Sequence, residues 1–124
     1  MEEDYIIITK SIADVEDFKY NLERKKEVFK KLVRNPLMIA AIVYVRNPNI
    51  HDIKKTIYLV PRFFDIDKLL ETVKNYLDVE DDTIKYYLSA ENEEGHIVGD
   101  LLLEEAWEYF HNNDRFMYLI LEAE

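Results

Sequence analysis

The sequence contains no cysteine, and its 124 residues include only two glycines and three prolines. Without cysteine, the chain can form no disulfide, thiolate metal site or cysteine nucleophile. Because glycine and proline are scarce, the breaks between helices and strands are few and easy to place. The longest apolar run, Leu37–Val45, is nine residues long and too short to cross a bilayer. The first residues, Met1 to Asp4, are acidic where a secretory signal would be basic, so we expect a cytoplasmic protein.

The motifs of common enzymes are missing as well. The three histidines lack the spacing of a metal-binding helix, and neither serine lies in a nucleophile-elbow motif. The two glycines are too isolated to form a phosphate-binding loop. We therefore predict a protein that is not an enzyme and that uses no metal or cofactor.

Negative charge is concentrated at one end of the chain. The net charge is −10, and residues 80–124 alone carry thirteen acidic and two basic side chains, a net −11. Residues 1–36 have no net charge, and residues 37–79 carry +1. An acidic third of this kind repels nucleic-acid phosphates, so we expect a basic protein partner and no nucleic acid. Because no apolar run is long enough to span a bilayer, we expect no membrane partner either. A mixed-charge surface typical of thermophilic proteins, which the absence of Gln also fits, is the alternative explanation.

Hydrophobic periodicity predicts six strands and three helices. Alternating or continuous apolar runs predict strands at Tyr5–Thr9, Leu37–Val45, Lys54–Val60, Thr83–Ser89, His96–Val98 and Phe116–Leu121. Apolar residues at helical spacing predict one long helix from Ser11 to Asn35, a helix over 66–77 capped by Asp65, and a third helix capped by Asp100. We interpret residues 1–124 as one domain, with a strand-helix extension at 1–36 and a core at 37–122.

Two α+β folds accommodate this order. A ferredoxin-like βαββαβ fold with a C-terminal αβ appendage would place Tyr5–Thr9 and Lys54–Val60 at the sheet centre. A β-grasp fold, ββαββαβ with an N-terminal β-α extension, would instead place Leu37–Val45 and Phe116–Leu121 there as parallel neighbours. Because these two strands are apolar on both faces, burial favours the β-grasp. The N-terminal helix would then cover the second sheet face through Phe18, Leu22 and Phe29.

Residues 37–122 resemble the ubiquitin-like interaction domains of the Phox-and-Bem and CIDE-N types. The segment Asp65–Val73 resembles their helix, Tyr86–Val98 their acidic hairpin, and Leu103–Leu121 their last helix and strand. The resemblance implies a β-grasp fold and pairing between an acidic face of one module and a basic face of another. On this chain the acidic face would be Glu91, Glu93, Glu94, Asp100, Glu104 and Glu105, and the basic face Arg46, Lys54 and Lys55.

The sequence thus favours a small interaction module that docks a basic partner through its acidic C-terminal face. The alternative is a stand-alone inhibitor whose carboxylates imitate phosphates and occupy a nucleic-acid-binding protein. Because one chain carries both basic and acidic clusters, we also expect a weak, salt-sensitive homodimer.

Overall fold

A computed structural model describes residues 6–8, 18–45, 56–77, 83–91, 93 and 95–124. Along these residues the elements are β1 (Ile6–Ile8), α1 (Leu22–Arg34), β2 (Met38–Val45), β3 (Ile57–Pro61), α2 (Ile66–Lys74), β4 (Tyr86–Ala90), α3 (Leu103–Phe110) and β5 (Met117–Ala123). The strands form one five-stranded sheet in the order β1-β3-β2-β5-β4. The protein is therefore an α+β protein with the β-grasp arrangement that burial favoured.

Strands β2 and β5 lie side by side in the middle of the sheet. They run parallel, with Ile42 opposite Tyr118 and Val43 opposite Leu119. Strand β1 pairs with β3 at the edge of the sheet, so the ferredoxin-like alternative, which needs these two strands at the centre, is wrong. The apolar character of β2 and β5 on both faces determined this order, because only central strands are covered on both sides.

Each face of the sheet has its own hydrophobic core, because successive side chains of a strand point to opposite faces. Helices α2 and α3 cover one face. This first core includes Ala41 and Val43 of β2, Met117 and Leu119 of β5, and Leu69 of α2. The second core lies on the α1 side and consists of Phe18, Val28, Ala40, Ile42, Ile57, Leu59, Phe116 and Tyr118. The prediction that the N-terminal helical segment covers the second face is confirmed.

The N-terminal helical segment is interrupted at Asn21, so the prediction of one continuous helix is wrong. Residues 18–20 form a helical turn, and α1 then begins after Asn21. The backbone of Asn21 is extended, and its side-chain oxygen accepts the N–H of Arg24 as an N-cap. The break turns Leu22 outward, with 63% of its surface exposed, and buries Val28 instead. Phe18 is fully buried, and Phe29 packs its ring 4.9 Å from that of Phe116.

The two later helices differ in how they begin. Asp65 caps α2 as predicted, since its Oδ1 accepts the N–H of Lys68 at 2.8 Å. Asp100 does not cap α3, which is preceded by Leu102. There the side chain of Glu105 accepts the N–H of Leu102 at 3.3 Å, so a carboxylate from within the first turn replaces the predicted cap.

The predicted strand at His96–Val98 is also wrong. Ile97 is buried and its N–H donates to the carbonyl of Leu88 at 2.9 Å, but residues 96–98 form no strand ladder. Tyr5 and Thr9, the Ser11 end of the first helix and the start of the Lys54–Val60 strand lie outside the described residues. Among the helices that are described, none combines the length and the apolar character that a bilayer-spanning helix needs.

Candidate docking cleft

Glu91, the first residue of the predicted acidic face, holds the N-terminal segment against the sheet. Its Oε2 accepts a hydrogen bond from Lys19 Nζ at 2.6 Å and from the Tyr44 hydroxyl at 2.7 Å, and only 15% of its side chain is exposed. Burial by itself raises the pKa of Glu91, but the hydrogen bonds from Lys19 and Tyr44 and the positive charge of Lys19 outweigh it and lower the pKa below its ordinary value. Glu91 is thus a partly buried structural carboxylate, which leaves it little surface for a partner.

Asp114 forms a second contact of the same kind. Its Oδ2 accepts the Tyr118 hydroxyl at 2.6 Å and lies 3.0 Å from Nζ of Lys25, while its Oδ1 accepts the N–H of Phe116. Burial again raises the pKa of Asp114, and the bonds from Tyr118, Phe116 and Lys25 lower it below the ordinary value. Two basic residues of the N-terminal segment are therefore neutralised by carboxylates from the C-terminal third.

The remaining predicted acidic residues are more exposed and do not form a single cluster. Glu93 and Asp100 are exposed. Glu104 accepts a hydrogen bond from Nε of Arg62 at 3.0 Å, at the surface. Glu94 lies outside the described residues, as do Arg46, Lys54 and Lys55 of the predicted basic face.

Glu104 and Glu105 line a cleft between α1 and α3. The cleft has a volume of about 480 Å³. Its apolar walls come from the second half of α1, the start of β2 and α3, and its lining residues are Phe29, Leu32, Met38, Ile39, Ala40, Arg62, Glu104, Glu105, Trp107, Glu108 and Arg115. A concave apolar surface with a few charged groups at its edge is the usual form of a binding site.

The charged edge of the cleft is mainly negative. Glu104 and Glu108 are one helical turn apart on α3, so both face the cleft, and Glu105 lies beside them. Arg62 neutralises Glu104, and the guanidinium of Arg115 lies 5.6 Å from the centre of the Trp107 ring. Two carboxylates, those of Glu105 and Glu108, thus remain without an ion-pair partner among the residues that the structure describes.

The sequence did not single out Glu108, Trp107, Arg62 or Arg115 as parts of a site. Trp107 is only half-buried: its Nε1–H donates to the Arg115 carbonyl at 3.0 Å, and its ring stacks on His111. The four-residue spacing of Glu104 and Glu108 was visible in the sequence and indicates a shared helix face. The position of Arg62 and Arg115 beside them depends on the sheet order and was not visible in the sequence.

The described histidines make structural contacts. His96 stacks on Tyr87 with ring centres 3.6 Å apart, and Nδ1 of His111 lies 2.7 Å from the Trp107 carbonyl. In the described ranges of the chain, His, Asp and Glu side chains nowhere cluster in a group of three that could hold a metal ion.

Compared as a sequence, the chain matches no protein-family model and no curated protein. Compared as a structure, it is similar to ATG8 of Trypanosoma brucei, with a TM-score of 0.67 over 82% of this chain and 86% of that chain, at 14% sequence identity. ATG8 is a ubiquitin-like β-grasp protein. The likeness therefore shows a ubiquitin-like fold, and the Phox-and-Bem or CIDE-N type of that fold stays a prediction.

Proposed function

We propose that this chain is a non-enzymatic, cytoplasmic protein-interaction module that docks a basic partner in the cleft between α1 and α3. The observation that carries the proposal is the combination of apolar walls from Phe29, Leu32 and Trp107 with a mainly acidic edge. A partner segment with one apolar side chain between lysines or arginines fits this surface. The apolar side chain would be desolvated in the cleft, and the basic residues would meet Glu105 and Glu108.

This proposal relocates the acidic face that the resemblance implied. Glu104 and Glu105 remain part of it and Glu108 joins them, whereas Glu91 is bound to Lys19 and contributes little surface. We retain residues 37–122 as the β-grasp core and residues 1–36 as an extension that supplies one wall of the cleft through α1. Pairing of an acidic face with a basic face, as in the Phox-and-Bem or CIDE-N type, would need the carboxylate of Glu91, which Lys19 neutralises. The cleft is therefore the better-supported docking surface.

The alternative function, imitation of nucleic-acid phosphates, has less support. A phosphate mimic needs a row of free, regularly spaced carboxylates, and three of the described ones are paired with cations of this same chain: Glu91 with Lys19, Asp114 with Lys25 and Glu104 with Arg62.

Selection from a random-peptide library on the immobilised full chain tests the proposal. We expect the enriched peptides to carry an aromatic or aliphatic residue flanked by Lys or Arg. Their affinity should fall at least about tenfold for the Glu105→Lys/Glu108→Lys variant, which reverses the two unpaired carboxylates at the edge of the cleft.

The matched control is Glu71→Lys/Glu124→Lys, which changes the net charge equally at exposed positions away from the cleft. Equal affinity for the cleft variant and the control would mean that peptides respond only to net charge, and enrichment of acidic peptides would contradict the proposal directly.

A further inference from the structure

The outer face of α1 carries a basic and apolar patch that the proposed function does not use. Lys26, Lys30 and Arg34 are exposed and recur at four-residue intervals, so they lie on one side of the helix. Together with Phe29 and Val33 they line a shallow hollow of about 370 Å³, which we call the α1 patch. Val33 is 80% exposed, an unusual state for an aliphatic side chain beside another apolar residue.

Among the described residues, the cations of the α1 patch form no ion pair, although Glu23 and Glu27 line a neighbouring hollow with Lys26 and Lys30. In the described part of the chain, the ion pairs of the N-terminal segment are made by Lys19 and Lys25, and none of them involves Lys26, Lys30 or Arg34. Lys30 and Arg34 therefore lie beside an apolar centre without an ion pair among the described residues, as Glu105 and Glu108 do at the cleft.

The α1 patch and the cleft are adjacent surfaces. Phe29 belongs to the lining of both, so the surface that carries the cations and the surface that carries the α3 carboxylates meet at this residue. A uniformly anionic partner such as a lipid surface or a nucleic acid would meet Glu104 and Glu108 as soon as it reached the patch. A partner avoids that repulsion when it places negative charge against the patch and positive charge against the cleft. A second copy of this chain carries both kinds of surface.

We infer that the α1 patch and the cleft together form a two-fold homodimer interface. A two-fold axis near Phe29 brings the patch of each copy onto the cleft of the other, so Lys30 and Arg34 of one copy meet Glu105 and Glu108 of its partner twice. Val33 and Phe29 supply the apolar contact that exposed charges alone lack. The inference rests on the proposed function in one respect, since it names a second copy as an occupant of the cleft.

A charge-swap experiment on the full chain tests the interface. The basic variant Lys30→Glu/Arg34→Glu and the acidic variant Glu105→Lys/Glu108→Lys should each dimerise at least about tenfold more weakly than the wild type in sedimentation equilibrium, because like charges then face each other. An equimolar mixture of the two variants should regain a species of twice the chain mass of 14.9 kDa, since each reversed patch meets a reversed cleft. The control Lys74→Glu/Lys85→Glu, at exposed positions outside both surfaces, should dimerise like the wild type.

Three results would overturn the inference. These are a wild-type monomer at high concentration and low salt, a mixture of variants that fails to associate although each is folded by circular dichroism, and a series of species larger than the dimer, which would indicate head-to-tail contact. If the wild type is monomeric while basic peptides still bind the cleft, the homodimer is wrong and the proposed function stands. If dimerisation is rescued by the swap but no basic peptide binds, the interface stands and the proposed external partner is wrong.

Discussion

Nζ of Lys19 lies 2.6 Å from Oε2 of Glu91, a residue 72 positions further along the chain. This contact joins the helical turn at the start of the second core to the end of β4, and the pair of Lys25 with Asp114 makes a similar connection from α1. Both carboxylates also accept a tyrosine hydroxyl from a central strand. The N-terminal segment is thus held by an apolar contact at Phe18 and by polar contacts at its sides, and each can be tested separately.

The apolar contact is tested by comparing Phe18 with Leu22. Phe18→Ala should lower the free energy of unfolding by about 3 kcal/mol, because it removes a buried ring that packs edge-on against Phe116 and Tyr118. Leu22→Ala should change it by less than about 0.5 kcal/mol, since this side chain is mostly exposed. Urea unfolding of the two variants measures both values, and equal costs would contradict the outward orientation of Leu22.

The polar contacts should make stability depend on pH. The folded state lowers the pKa of Glu91 and of Asp114 from ordinary values of 4.5 and 3.8, so the unfolded chain takes up protons first as the pH falls. The stabilisation is therefore complete above these ordinary values and is lost as the pH falls through the lower values of the folded state.

Glu91→Gln/Asp114→Asn should accordingly be less stable than the wild type near neutral pH, and the difference should shrink as the pH falls below the ordinary values. Urea unfolding at a series of pH values measures this difference. Glu93→Gln, at an exposed position, serves as the control and should follow the wild type throughout. A deficit of the double variant that is the same at every pH would show that the two carboxylates do not act through their charge.

Arg115 tests the turn that leads into β5. Its φ of 71° lies in the left-handed region, and the backbone of this turn is closed by its N–H donating to the carbonyl of Asn112. Arg115→Gly and Arg115→Val both remove the guanidinium that lies over Trp107, so the comparison isolates the backbone. The free energy of unfolding of the valine variant should be about 1–2 kcal/mol lower than that of the glycine variant, because a β-branched residue is strained at this φ. Equal stabilities would mean that the turn changes conformation when Arg115 is replaced.

The sequence predicted more of the fold than of the site. Every residue of Leu37–Val45 and of Phe116–Leu121 is apolar. This local property was enough to predict that the two strands are central and parallel. The cap of α2 by Asp65 was equally predictable, because a capping side chain binds a backbone N–H three residues away. Such features depend on neighbours in the sequence, where periodicity and residue type can be seen directly.

The tertiary structure alone decided which carboxylates are available to a partner. Glu91 and Glu93 are nearly adjacent and chemically alike, yet Glu91 is neutralised by Lys19 and Glu93 is exposed. Likewise, the break at Asn21 sets which side of α1 is buried, and the sheet order brings Arg62 beside Glu104 and α1 beside α3. Whether a carboxylate has an ion-pair partner depends on cations tens of residues away in the sequence. The positions of those cations are fixed only when the two cores pack. For this reason the acidic segment was evident in the sequence, whereas the cleft was not.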